Sequence, residues 1–183
     1  LAILVSQKLG DGSFEFYDNR SSLKIEHGYK QYDYLKFKVN LLKKAFPTVA
    51  GLETISKRES NGYISYSWRS NNLRNRYMDI IKENQDWSLI KRLTPFGWML
   101  WYLDDGNLYL SDNSNQLSIA IHSVHTRLAA IEELKTYGFE FASYNECITI
   151  SDKLTIIKFL NCFIKPFIHL IPECMKYKCI VKI

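Results

Sequence analysis

The chain has 183 residues, 46% hydrophobic and 14% aromatic, with a net charge of +5. That is enough apolar material for a real core in one body or in two small intimate ones. It excludes a membrane-spanning helix, because the apolar run from Phe96 to Leu103 is far too short, and it excludes a zinc module, because the four cysteines form no CxxC pair and no Cys/His cluster with zinc spacing. The N-terminus lacks a basic region ahead of its apolar stretch, so it makes a poor secretion signal. Reduced cysteines in an intracellular protein are the expectation.

In chain order, the first element is a short helix, Leu1 to Gly10. "SFEFY" and "SLKIEH" alternate apolar and polar residues, as half-buried strands do. "YDYLKFKVNLLKKAF" has helical spacing. "LETISKR" and "YISYSWR" flank "ESNG", a hairpin signal, and "NLRNRYMDIIK" reads as a closing helix. The second half replays this order. "TPFGWMLWYL" is a helix with Thr94 as N-cap and Pro95 in its first turn. "NLYLS" and "QLSIAIHS" are strands. "HTRLAAIEELKTYG" is a helix with Thr126 as cap and Gly138 as terminator. "FEFASY" and "CITIS" form a hairpin around Asn145 and Glu146, and a last helix runs from Asp152 to before Pro166. The expected fold class is therefore α+β, two pseudo-twofold αββαββα repeats spanning 1–93 and 94–183 in one compact body.

Each half opens with an apolar helix that ends in an acid followed by glycine: Asp11-Gly12 and Asp105-Gly106, 94 residues apart. Acids are disfavoured at helix C-termini, which already carry partial negative charge. Asp-Gly alone is a common turn pair, but two at the repeat period point to a duplicated site. Packed side by side, the helices would bring Asp11 and Asp105 together, and the two carboxylates would repel unless a cation sat between them. Oxygen ligands of this kind suit Mg²⁺, and such a centre suits metal-assisted phosphodiester hydrolysis.

Charge is uneven. Residues 1–93 hold 16 Lys+Arg against 10 Asp+Glu, a net +6, and residues 94–183 hold 8 against 9, a net −1. A basic half fits a polyanion partner or an ordinary solvated surface. The strand alternation puts Phe14, Phe16, Ile64, Tyr66, Trp68, Leu108 and Leu110 inward. It leaves Ser13, Glu15, Tyr17, Tyr63, Ser65, Ser67, Arg69, Asn107, Tyr109 and Ser111 on the outer face. Such side chains on a two-stranded ribbon can read base edges in the major groove of double-stranded DNA. Lys24, Lys57, Arg58, Arg69, Arg74 and Arg76, near strand ends and loops, are candidates for phosphates.

"LGDGS" and "LTPFGWMLWYLDDGNL" resemble the two signature helices of the LAGLIDADG homing endonucleases of the single-chain, two-motif kind. The ending "IPECMKYK" resembles that group's close, and the resemblance covers nearly the whole chain. It implies a saddle of strands over DNA and a central pair of packed helices. It also implies double-strand cleavage at a long recognition site, leaving short 3′ overhangs, with Mg²⁺ or Mn²⁺ as cofactor. Carried over by position, Asp11 and Asp105 are the metal ligands, and Gly10 and Asp104 offer main-chain carbonyls. Glu26 and His122 fall where the family places polar residues around the water network, and Lys178 matches a basic residue near the scissile phosphate. Lys82 matches its counterpart in the first half. A surface lysine is the plain alternative for both lysines, and a satisfied sheet histidine for His122. His27, His125 and His169 are read as structural. Ser6, Gln7 and Lys8 depart from the small or apolar residues usual at the helix interface.

Three functions compete on this scaffold: a site-specific DNA endonuclease, an intron maturase that holds RNA, and a non-cutting DNA-binding protein, which retention of both acids argues against. With both signature helices in one chain, a monomer is expected. The Lys-, Asn-, Ile- and Tyr-rich composition hints at an AT-rich genome, such as that of a mitochondrion, another organelle or a phage.

Overall fold

The computed structural model describes residues 1–18, 20–47, 55–70, 73, 76–111 and 114–179. Leu52–Thr54 of the expected third strand, Arg74, and Asn72 and Asn75 of the closing helix lie outside these. Among the described residues no helix is long and apolar enough to cross a membrane.

The first half runs α1 (Ala2–Leu9), β1 (Gly12–Tyr17), β2 (Arg20–Gly28), α2 (Tyr32–Ala45), β3 (Ser56–Ser60), β4 (Tyr63–Arg69) and α3 (Arg76–Glu83), followed by a single-turn α4 (Asp86–Leu89). The second runs α5 (Pro95–Asp105), β5 (Gly106–Leu110), β6 (Asn115–Ala120), α6 (Val124–Thr136), β7 (Ala142–Tyr144), β8 (Cys147–Ile150) and α7 (Lys153–Phe159). A wider turn, Leu160–Ile164, extends α7, and a 3₁₀ helix, Glu173–Lys178, comes last. The two antiparallel four-stranded sheets have equivalent orders, β1-β2-β4-β3 and β5-β6-β8-β7. Gly12 pairs with Ile25 and Gly106 with Ile119, so the 94-residue repeat holds through the first hairpin of each half.

Local chemistry explains the boundaries. The Thr94 hydroxyl accepts from the Gly97 amide at 3.3 Å and Pro95 opens α5. The Asp152 carboxylate caps α7, accepting from the Thr155 amide at 2.7 Å. Helix α6 differs from expectation: Ser123 is its N-cap, accepting from the Thr126 amide, so strand β6 stops at Ala120 and Thr126 lies one turn in. Asn61 and Gly62 both have positive φ, as a tight hairpin turn of the mirror-image type requires.

The core lies between the sheets and the central helices. Helix α1 packs on α5, and Gly97 lets the start of α1 come close, since a Cβ there would meet Ala2 at 3.4 Å and Leu93 at 2.9 Å. Trp98 stacks on Trp101 with centroids 5.3 Å apart, and Phe139, Phe159 and Phe163 close the second half's core. The polar residues of α1 are buried here: Ser6 donates to the Ile3 carbonyl, and the Gln7 amide has no hydrogen-bond partner. Lys8 reaches Asp86 at 3.6 Å.

Candidate metal centre and nucleic-acid face

Each acid stands where a helix turns directly into a strand. Helix α1 ends at Leu9, Gly10 closes it, Asp11 follows, and β1 begins at Gly12. Helix α5 continues through Asp105 and β5 begins at once with Gly106. A Cβ at Gly106 would run into the Tyr102 carbonyl and ring, and one at Gly10 into the Asp104 carboxylate. Glycine is therefore a steric requirement at both places.

Three carboxylates meet there. Asp104 reaches across from the second half into the first, and its side chain is fully buried. Tyr34 donates its hydroxyl proton to Asp104 Oδ1 at 2.7 Å, the Lys38 ammonium lies 2.5 Å from the same oxygen, and the Asp11 amide donates to Oδ2 at 3.3 Å. Burial and the Asp104 charge hold the Tyr34 hydroxyl far above the usual tyrosine range, so it stays a donor. Lys38, itself 1% exposed, also lies 3.9 Å from Asp11 Oδ2 and over the Tyr34 ring at 4.7 Å.

Asp11 keeps 36% of its side chain exposed. Its carboxyl is pushed up to about 6, first by burial and then by the Asp104 charge. Asp105 is pushed up to about 7 by burial, then by Asp104 and Asp11. Its Oδ2 accepts from the Trp101 indole N–H at 2.9 Å, and it borders a cleft of about 320 Å³ with Gly10 and His122. Lys178, buried at the C-terminal 3₁₀ helix, donates to the Leu103 and Asp104 carbonyls at 2.7 and 3.0 Å. Burial holds its ammonium below the usual lysine range, against the pull of all three acids. The Asp104 carbonyl, expected as a ligand, is thus already accepting from Lys178, and the Asp104 carboxylate is the group that enters the cluster.

His27 is the residue that sequence reasoning set aside. It is buried, with Nδ1 3.6 Å from Asp11 Oδ2 and no hydrogen-bond partner of normal geometry for Nε2. Burial and Lys38 push its imidazole down to about 4, so it is neutral and able to ligate. Single donor atoms of Asp11, His27 and Asp104 lie within 4.8 Å of one another. The donor set fits a divalent cation: one carboxylate from each half, Asp11 raised by burial and by the Asp104 charge, beside the buried and neutral imidazole of His27. Tyr34, Lys38 and His27 carried a signal. His27 continues the inward alternation of Leu23 and Ile25, and Lys38 sits one turn after Tyr34 on the buried face of α2 with Leu35, Val39 and Leu42. A lysine on an apolar helix face needs an acid.

The remaining candidates sort by strand register. Ser13 faces Lys24, Lys24 faces Arg69, and Glu26 faces Ser67, so these share the outer face of the first sheet with Glu15, Tyr17, Tyr63, Ser65 and Arg58. Glu26 accepts from Lys24 at 2.6 Å and Ser65 at 2.8 Å, which hold its carboxyl below the usual range. Arg69 pairs with Glu15. Glu26 therefore belongs to the outer face and not to the acid cluster. Lys57 shares register with Tyr66 and lies on the opposite face from Arg58, paired to Glu59 at 3.2 Å. Asn107 and Tyr109 are exposed on the second sheet, and Ser111 belongs to the following turn. Arg76 and Lys82 are exposed on α3, Arg76 against the Tyr77 ring. His122 is 84% exposed and pairs with Glu146 at 3.0 Å on the rim of the Asp105 cleft. Arg74 lies outside the described residues.

Comparison with curated protein sequences finds no match. Among solved structures the chain is similar to the homing endonuclease I-WcaI bound to its DNA recognition sequence, with TM-score 0.67 and 17% identity over 100% of this chain and 86% of that one. It is similar to I-DmoI in complex with DNA and Ca, with TM-score 0.59 and 14% identity over 96% and 95% of the two chains. It is also similar to the N-terminal LAGLIDADG domain of DUF199/WhiA, with TM-score 0.56 and 12% identity over 93% and 85%. Residues 2–162 match the LAGLIDADG DNA endonuclease family as a whole, across both acid-bearing helices and both sheets. The chain belongs to that family.

Proposed function

We propose that the protein is a site-specific endonuclease that cuts both strands of a long DNA target by metal-dependent phosphodiester hydrolysis, leaving short 3′ overhangs, in the service of intron homing. The observation that carries this reading is the meeting of Asp11 and Asp105 at the ends of two packed helices, both raised first by burial and then by the Asp104 charge. Asp11 and Asp105 would hold divalent cations, Mg²⁺ or Mn²⁺, with His27 beside Asp11. Bound there, the metal supplies activation of water and stabilisation of the leaving oxygen.

The chain's own groups prepare that centre. Asp104 fixes the Asp11 backbone through the Asp11 amide, and Tyr34 fixes Asp104. Lys178 ties the last turn of α5 to the C-terminal 3₁₀ helix through two carbonyls, leaving its charge beside the acids. The outer strand faces would hold DNA, with Ser13, Ser65, Ser67, Asn107 and Tyr109 toward base edges and Lys24, Arg58 and Arg69 toward phosphates. One chain supplies both halves of the centre, so the active species is a monomer.

The test is a nuclease assay on randomised DNA and on intron-insertion sites, with Mg²⁺ and with EDTA. Cleavage is expected only with the metal. Asp11→Asn and Asp105→Asn should each abolish double-strand cleavage, by on the order of 10³-fold for several kcal/mol of lost charge stabilisation, while DNA binding persists. Normal cutting of both strands by either variant would end this assignment.

A further inference from the structure

The two acids of the centre have different surroundings. On the Asp105 side the carboxylate accepts one hydrogen bond, from Trp101, and faces an open cleft. Lys178, whose charge acts on Asp105, directs its protons to backbone carbonyls. On the Asp11 side a buried ammonium stands among the carboxylates, 2.5 Å from Asp104 and 3.9 Å from Asp11. It cannot swing out to solvent, because its side chain is 1% exposed and lies over the Tyr34 ring within the packed face of α2. A fixed unit charge at this distance opposes a divalent ion in a low-dielectric setting.

We propose that Lys38 is a resident cation that fills the Asp11 side of the cluster, so that the free protein takes a divalent ion at Asp105 alone. This rests on the metal-centre reading above and deepens it. The Asp11 side, with His27 ready as a nitrogen ligand, then receives an ion only when further negative charge arrives, as the DNA phosphates would bring. Lys38 acts on the metal through Asp104 and Asp11 and is a positioning residue.

The test counts Mn²⁺ bound to the DNA-free protein by electron paramagnetic resonance, with the Asp11→Asn/Asp105→Asn double variant as background. Wild type should bind one ion above background, lost in Asp105→Asn and kept in Asp11→Asn. Lys38→Arg keeps the charge and should still bind one. Lys38→Met should admit a second ion that Asp11→Asn removes. Because Lys38→Met leaves a buried carboxylate without its partner, Lys38→Gln, which removes the charge but keeps a hydrogen-bond donor for Asp104, is measured beside it and should also bind two. Two ions on wild type, or one ion on both Lys38→Met and Lys38→Gln, would overturn the role of Lys38 and leave the metal centre standing. No ion above background in any form would overturn the metal centre and this inference with it.

Discussion

The two halves share a backbone plan and differ in what they place beside the acid. Through the first hairpin the register repeats with a constant offset of 94 residues, from Gly12↔Ile25 to Gly106↔Ile119. Yet Gly10 in one half stands where Asp104 stands in the other, and each half's histidine has its own fate. His27 is buried against Asp11, while His122 is exposed and tied to Glu146. The buried cations of the two sheet-backing helices diverge in the same way. Lys38 of α2 reaches a carboxylate, whereas Arg127 of α6 donates to the Ile121 and His122 carbonyls at 2.6 and 2.9 Å. A duplicated scaffold can thus hold two chemically unequal half-sites, because the inequality needs only a few side chains.

The comparison is broken most sharply at those two cations. Lys38→Met leaves the Asp104 carboxylate fully buried with one charge partner gone, a loss of about 3–5 kcal/mol. Arg127→Met leaves carbonyl oxygens short of donors, a loss of about 1–3 kcal/mol. Chemical denaturation of the two variants measures both. Equal losses would mean that Asp104 is not charged in the free protein.

The signature helices differ too. Helix α5 presents Trp98, Met99 and Trp101 to the core, while α1 buries Gln7 with both amide atoms unpaired. Gln7→Met keeps the volume and removes the unpaired groups, so it should stabilise by about 1–3 kcal/mol. Thermal unfolding would show this as a rise of about 2–4 °C per kcal/mol. A fall in melting temperature would reveal a partner for the amide.

How much of this was legible before the fold depends on range. The turn from helix into strand at Gly12 and Gly106, and the faces of "SFEFY" and "YISYSWR", follow from local alternation and were readable. The partnership of Tyr34, Lys38 and Asp104 spans 66 to 70 residues. It becomes visible only once α2 is known to run beside the end of α5, and a lysine in "YLKFKVNLLKK" otherwise reads as solvated. Ser123 and Thr126 are both good cap residues three positions apart, so local propensity does not choose between them, and it is Ser123 that caps α6.

The acids give a pH dependence that tests which side is more strained. A carboxyl raised in the folded state holds a proton there that the unfolded chain has released. Between about 4 and 7 the folded protein is therefore the more protonated, and its stability falls as pH rises through that window. Without metal, thermal stability should drop from pH 5 to pH 8 beyond what the other titrating groups impose. Asp105→Asn should remove more of the drop than Asp11→Asn, since Asp105 is raised to about 7 and Asp11 to about 6. Added Mg²⁺ should restore stability at pH 8, where the carboxylates are free to bind it. A drop of the same size in both variants would place its origin elsewhere.

The smallest effect expected is on salt dependence. The first half carries nearly all the excess positive charge, but its outer sheet face is partly neutralised: Lys24 meets Glu26, and Arg69 meets Glu15. The paired rows of the second sheet's outer face hold Asn107, Tyr109, Gln116, Ser118 and Thr149, with no charge at all. The first sheet should therefore supply the phosphate contacts, yet Lys24 and Arg69 must each leave a carboxylate to make one. Neutralising a free phosphate contact lowers the slope of log affinity against log salt by about 1. Arg69→Ala and Lys24→Ala should lower it by less, because each also frees an acid that repels the backbone. Arg58 draws on Glu26 only at longer range and forms no ion pair with it, so Arg58→Ala should come closer to the full value. Lys43→Ala and Lys44→Ala on α2 should leave the slope unchanged. Binding of a fixed duplex across a salt series decides this, and a slope that responds to the α2 lysines but not to Arg58 would move the DNA to another face of the molecule.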